Sequence, residues 1–128
     1  MKKALATLSL GALMAVAVPG VANAQGGGGG VTVNGKCSAA STSTLKVKTD
    51  NSNLEVEFQV DENVVGQTWK VKISDNGVVV ARATKTTTAP SGSFTVRRLI
   101  PNNAGTDLIK AAATNQATGE MCTASVSF

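Results

Sequence analysis

Histidine and tyrosine are absent from the 128 residues, and cysteine occurs only twice. Without histidine there is no Ser-His-Asp triad, no Cys-His pair and no imidazole ligand for zinc or haem iron. Two cysteines are too few for a Cys-rich zinc site. Aromatic residues are scarce as well, three Phe and one Trp, so nucleic-acid bases would find no stacking platform. Apolar runs are short. The longest, Ala4 to Val18, has 15 residues, fewer than the ~20 that cross a bilayer.

What is present begins with an export signal. Met1-Lys2-Lys3 is a positive n-region, Ala4 to Val18 an apolar h-region, and Ala22-Asn23-Ala24 a small-x-small cleavage site before Gln25. Residues 1–24 are read as a signal peptide, so the mature chain is secreted and folds in an oxidising compartment. No membrane span is expected after cleavage. Removal of Lys2 and Lys3 leaves ten basic and eight acidic side chains, net +2, and a nucleic-acid partner is excluded on that weak charge. Gln25 and the run Gly26 to Gly30 follow, and residues 25–35 are read as a flexible Gly-rich N-terminal tail, because five glycines lose much backbone entropy on ordering.

From Val31 onward no helical periodicity exceeds one turn, whereas alternation is clear. Leu54, Val56, Phe58 and Val60 share one face, opposite Glu55, Glu57 and Gln59. Trp69, Val71 and Ile73 alternate with lysine and serine, and similar patterns recur at Phe94-Val96, Ile109-Ala111-Ala113 and Cys122-Ala124-Val126-Phe128. Seven strands are expected, at about 44–48, 54–60, 68–74, 78–86, 93–99, 107–115 and 121–128.

Three hairpins can be registered on paper. A turn at Asp50-Asn51-Ser52-Asn53 sets Val47 against Val56 and Leu45 against Phe58 inside, with Lys48 against Glu55 and Lys46 against Glu57 outside. Each such pair contributes roughly 0.2–1 kcal/mol. For the next hairpin, a two-residue Asn76-Gly77 turn would bring Arg82 onto the core face opposite Val71. A three-residue loop, Asp75-Asn76-Gly77, avoids this by pairing Ile73 with Val79 and Val71 with Ala81. The last hairpin turns at residues 116–119 and pairs Ile109 with Val126, Ala111 with Ala124 and Ala113 with Cys122. Trp69 is expected to fill the core beside the small Ala83, Ala111 and Ala124.

An even cysteine pair in an exported chain reads as one disulfide, Cys37 to Cys122. It lacks the C-x-x-C spacing of a redox pair.

Strand count, strand spacing and the Pro90-Ser91-Gly92 and Asn76-Gly77 turns resemble an immunoglobulin-like or fibronectin-III-like sandwich over residues 36–128. The run from Cys37-Ser38 through Leu54-Glu55-Val56-Glu57-Phe58, Gly66-Gln67-Thr68-Trp69, Ala89-Pro90-Ser91-Gly92-Ser93-Phe94 and Ala113-Thr114-Asn115 to Thr118-Gly119-Glu120-Met121-Cys122 is similar to a group of small secreted bacterial proteins without assigned activity. In composition the chain also resembles the secreted apoproteins that carry enediyne chromophores, although those have two short-range disulfides. The resemblance implies an all-β, seven-stranded antiparallel immunoglobulin-like β-sandwich with one disulfide, and it brings no catalytic residues.

Candidate sites are few. Glu55 and Glu57 share a strand face and could form a carboxylate pair of the glycosidase kind, but each has a Lys partner on an open surface. Ser91 and Ser93 have no histidine to activate them. Asp61-Glu62-Asn63 and Asp50-Asn51-Ser52-Asn53 offer oxygen ligands without the calcium-loop spacing, and turn chemistry accounts for both. Catalytic, cofactor and metal residues are therefore expected to be none. Arg97-Arg98 is the local anomaly: the alternation of Phe94 and Val96 points Arg98 inward unless the strand bulges before Leu99, and the pair is a candidate partner contact. The expected function is a secreted non-enzymatic binding or accessory surface module for a protein or glycan partner. The alternatives are a carrier of a small apolar ligand between the sheets and an inhibitor of secreted proteases using the loop from Thr87 to Ser93.

Overall fold

The computed structural model describes residues 29–128. The expected signal peptide, residues 1–24, and residues 25–28 of the expected tail lie outside the described residues. Nine strands follow in order: β1 Gly30–Asn34, β2 Lys36–Cys37, β3 Thr42–Asp50, β4 Asn53–Asp61, β5 Thr68–Asp75, β6 Val78–Thr86, β7 Ser93–Pro101, β8 Leu108–Asn115 and β9 Met121–Ser127. They form two antiparallel sheets, ordered β1-β3-β4-β7 and β2-β9-β8-β5-β6.

Nine strands correct the expected seven. All seven anticipated strands are present, and β1 and β2 are added at the N-terminal side. The ordered sandwich thus begins at Gly30, inside the segment read as tail. Val31 and Val33 alternate with Thr32 and Asn34, pair with Val47 and Leu45 across the ladder, and Val33 packs against the core. That contact and five residues of ladder offset the ordering cost that the glycine run suggested. The chain then changes sheets at Gly35, since β2 pairs Cys37 with Cys122 on β9. A Cβ at Gly35 would collide with Ser43 Oγ and lie 2.6 Å from the Thr123 carbonyl oxygen, so only glycine fits this crossing.

The alternation decides which faces meet. Leu45, Val47, Leu54, Val56, Phe58, Val60, Phe94 and Val96 from one sheet oppose Trp69, Val71, Ile73, Ile109, Ala111, Ala113 and Cys122 from the other, all buried. Trp69 is fully enclosed, with its ring centroid 5.9 Å from that of Phe94. Burying apolar area at ~25 cal/mol per Å² is what holds the two layers together.

The β3–β4 register and the β8–β9 register are those expected, including Val47 opposite Val56 and Ala113 opposite Cys122. The β5–β6 hairpin is a correction. Its turn is the two-residue Asn76-Gly77, with φ of 51° and 87°, both positive as a type I′ turn requires. The extra residue sits inside the hairpin, as a register shift between Ile73 and Ser74, so that Ile73 pairs with Ala81 and Val71 with Ala83. Arg82 still lies opposite Lys72, exposed to solvent. Keeping that charge out of the core required one inserted residue, and the turn was not where it went.

The disulfide Cys37–Cys122 forms. It clamps the short β2 against β9 and ties the N-terminal segment to the last strand.

Candidate functional site

β7 is an outer strand of the four-stranded sheet and β6 an outer strand of the five-stranded one. The two run beside each other without a shared ladder, so this margin of the sandwich is open.

Arg97 and Arg98 lie here. The β4–β7 ladder runs unbroken through nine pairs from Asn53–Pro101 to Asp61–Ser93. The bulge invoked for Arg98 is therefore absent, and alternation carries its side chain to the inner face opposite Val56. Because β7 is at the edge, the half-buried aliphatic stem can lie along the margin while the guanidinium reaches solvent. Arg98 Nη1 donates to the Arg97 carbonyl oxygen at 2.9 Å. Among the described residues its remaining N–H groups have no partner. Arg97, on the outer face, donates through Nε to Glu55 Oε2. Lys48 Nζ stands 3.2 Å from Glu55 Oε1. An open groove here is lined by Asp50, Glu55, Arg97, Arg98 and Leu99.

This arrangement bears on the Glu55/Glu57 pair. The Arg97 hydrogen bond pushes the Glu55 carboxyl below its usual range, against the opposing effect of burial and with help from Lys48. A carboxylate held ionised by two cations is a poor proton donor near neutral pH. Arg97 sits opposite Glu57 in register yet reaches diagonally to Glu55, a choice that strand pairing alone did not reveal.

The acid-rich turns are structural. Glu62 turns inward to accept from Trp69 Nε1 at 2.7 Å and from Asn115 Nδ2 at 3.2 Å. Asn115 also donates to Gln67 Oε1 at 2.7 Å and accepts from the backbone of Ala117 and Thr118. Asn51 adopts φ 57° in the turn after Asp50, a conformation asparagine tolerates. Buried Glu120 accepts from the Ala39 and Ser41 backbone N–H groups at 3.1 and 3.0 Å and from Ser41 Oγ at 2.7 Å, fastening the segment after β2. Glu120 lies within 4.8 Å of both cysteine sulfurs, but those sulfurs are bonded to each other and present no thiolate.

One constellation escaped the sequence reading. Asp75 ends β5 and Asp107 precedes β8, the adjacent strand, and their side chains meet at one end of the sandwich. Their exposures are 3% and 0%. The connection between β7 and β8 supplies two amides: Asn103 Nδ2 is 3.2 Å from Asp75 Oδ2, and an amide end of Asn102 is 2.9 Å from Asp107 Oδ2. Burial pushes the Asp75 carboxyl up to about 6, helped by its hydrogen bond to Asp107 and repulsion from that charge. In sequence Asp75 read as a turn residue beside Asn76-Gly77, and Asp107 as the first residue of the strand expected at 107–115. Only the β5–β8 ladder, with Asp75 opposite Ile109, brings them together.

Compared with known proteins, the chain matches no family model and no curated protein.

Proposed function

We propose that this is a secreted bacterial, non-enzymatic binding module that engages a protein or glycan partner along the open margin of β6 and β7. The observation that carries this reading is apolar exposure at strand edges. Val78, Val79 and Val80 on β6 are 66%, 39% and 37% exposed, and Leu99 on β7 is 59% exposed. Edge strands are ordinarily blunted by charge, proline or coverage, because bare apolar edges recruit other chains. Here Arg82 and Lys85 protect the later part of β6 and leave the first three valines bare. Arg98, with unused guanidinium donors, stands next to Leu99 and suits an acidic group on the partner.

The strand order supports an immunoglobulin-like, fibronectin-III-like wiring. Set apart from β1 and β2, the sheets are β3-β4-β7 facing β9-β8-β5-β6. Export rests on the leader at residues 1–24 and agrees with a disulfide, which persists in oxidising compartments. Neither alternative has an observation in its favour. The space between the sheets that a carried ligand would occupy is taken by Trp69, Phe58 and Phe94. The loop from Thr87 to Ser93 is a closed turn, with Thr88 bridged to Ser93 and buried Thr87 donating to the Val64 carbonyl at 2.6 Å, unlike the extended segment a protease cleft takes.

The test is affinity capture from the envelope and culture fluid of the source, with wild type and a V78K/V80K/L99K variant. Saturable capture by wild type that is lost in the variant, with the melting transition retained, supports the margin as the binding surface. Equal capture by both proteins, or hydrolytic turnover that survives repurification, overturns it.

A further inference from the structure

We propose that Asp75 and Asp107, with Asn102 and Asn103, form a binding site for a hard divalent cation of the calcium type. The site is distinct from the β6–β7 margin and does not depend on the partner reading above.

Two carboxyl groups are enclosed together at the ends of adjacent strands. Among the described residues neither has an ion-pair partner. Each also keeps one oxygen, Oδ1, that is buried and has no hydrogen-bond partner. Burying a carboxylate with an unsatisfied oxygen costs several kcal/mol unless a cation or proton compensates it. A pair of acids 97% and 100% buried, both with unpartnered oxygens, calls for positive charge, and among the described residues no lysine or arginine supplies it.

The surrounding groups complete an oxygen cage. The end of the Asn102 amide that is 2.9 Å from Asp107 Oδ2 is also 3.2 Å from the Asn103 carbonyl oxygen. With its NH₂ at that end, Asn102 donates to both oxygens, which suits the cation-free state. Turned by 180° about its last torsion, it places a carbonyl oxygen there instead. Asp107, Asn102 and the Asn103 main chain then converge as three oxygens beside Asp75. The same side chain serves both states without movement of the backbone.

The donor set selects the ion. It holds oxygen only, with no thiolate or imidazole, which disfavours zinc. Carboxylates, amide and main-chain carbonyls on an irregular connection suit the six to eight ligands and loose geometry of Ca²⁺. Mg²⁺ demands near-octahedral geometry and gives up its water reluctantly. Access is through residues 102–106, which are exposed. That connection is held at its ends, by Asp107 paired with the Phe128 main chain and by Asn76 Nδ2 donating to the Thr106 carbonyl oxygen at 3.3 Å. Val78 and Leu108 flank the acid pair, so a bound ion would also brace the end of β5–β6 against β8.

The experiment is isothermal titration calorimetry of the oxidised protein with CaCl₂ at pH 7.5. Thermal melts in CaCl₂, MgCl₂ and NaCl of equal ionic strength accompany it. Expected are one site with Kd of roughly 10⁻⁴–10⁻³ M, as for extracellular modules, and a Tm that rises on the order of 10 °C at a hundredfold excess of Ca²⁺ over Kd, with a smaller rise in Mg²⁺. D107N should abolish the heat. N102A, on the exposed connection, removes the side-chain amide of the cage and should retain the fold and weaken binding several-fold, which keeps the test decisive if D107N fails to fold. Wild type that shows neither heat nor a calcium-dependent Tm at 10 mM overturns the proposal. So does calcium binding unchanged in N102A together with D107N.

Discussion

Replacing both cysteines, C37A/C122A, removes the covalent cross-link between the N-terminal strands and β9. The bridge spans 85 positions in sequence. Closing a loop of that length in the denatured chain corresponds to about 4.6 kcal/mol of lost entropy at 25 °C. A domain of about 100 residues has a total stability of roughly 5–15 kcal/mol, so the double variant should lose between a third and nearly all of it. Denatured-state compaction lowers this figure, and an observed loss of 2–4 kcal/mol fits the reasoning. The assay is reversible urea unfolding followed by fluorescence of Trp69, the single Trp, fully buried in the native state. Because the bridge acts on the unfolded chain, its removal should also let that chain expand and expose more surface. The slope m should therefore rise as the midpoint falls. Equal midpoints would refute the argument, since the β1–β3 and β2–β9 ladders would then hold the N-terminal segment unaided. A loss of stability with m unchanged would refute its mechanism and place the effect in the native state.

Gly35→Ala should destabilise by about 1–3 kcal/mol in the same assay, the range for forcing atoms into a filled site, because its Cβ meets the Thr123 carbonyl and Ser43. Gly29→Ala, with nothing within 4 Å of the added Cβ, should be neutral. Asp75 predicts a pH dependence in chelator-treated protein: its carboxyl is raised from 3.8 to about 6 by burial and by Asp107. The folded state then binds more protons than the unfolded one between those values, so this group's contribution to stability is full below about pH 4 and is lost as pH rises to about 6. The difference in Tm between wild type and D75N should fall across that window, and a flat difference would exclude the titration of Asp75.

Much of the β architecture was readable because alternation is a local, period-two property. Leu54-Glu55-Val56-Glu57-Phe58 declares its inner face without knowledge of any neighbour, and Lys46-Lys48 facing Glu55-Glu57 set a register that the ladder reproduces. The charge of Arg82 correctly forbade one register of β5–β6. It could not locate the compensating residue, since an insertion anywhere in the hairpin restores the same face, and the preference of Asn76-Gly77 for a two-residue turn decided the matter. β1 was missed because the glycine run before Val31 made ordering look costly, while the contact that repays it, Val33 on the core, comes from β3.

The candidate sites divide in the same way. Composition alone removed histidine chemistry, and an even pair, Cys37 and Cys122, in a chain read as exported was enough to expect their bridge. Whether Arg98 enters the core or escapes it depends on β7 being an outer strand, a fact of sheet order that no stretch of sequence contains. Asp75 and Asp107 are 32 positions apart, the one read as an ordinary turn residue and the other as the start of a strand. Their burial, their contact and the raised proton affinity of Asp75 arise only when β5 and β8 become neighbours, because desolvation and charge repulsion depend on what the folded chain brings within a few ångströms. Periodicity is written along the chain, whereas electrostatics is a property of neighbours that folding chooses.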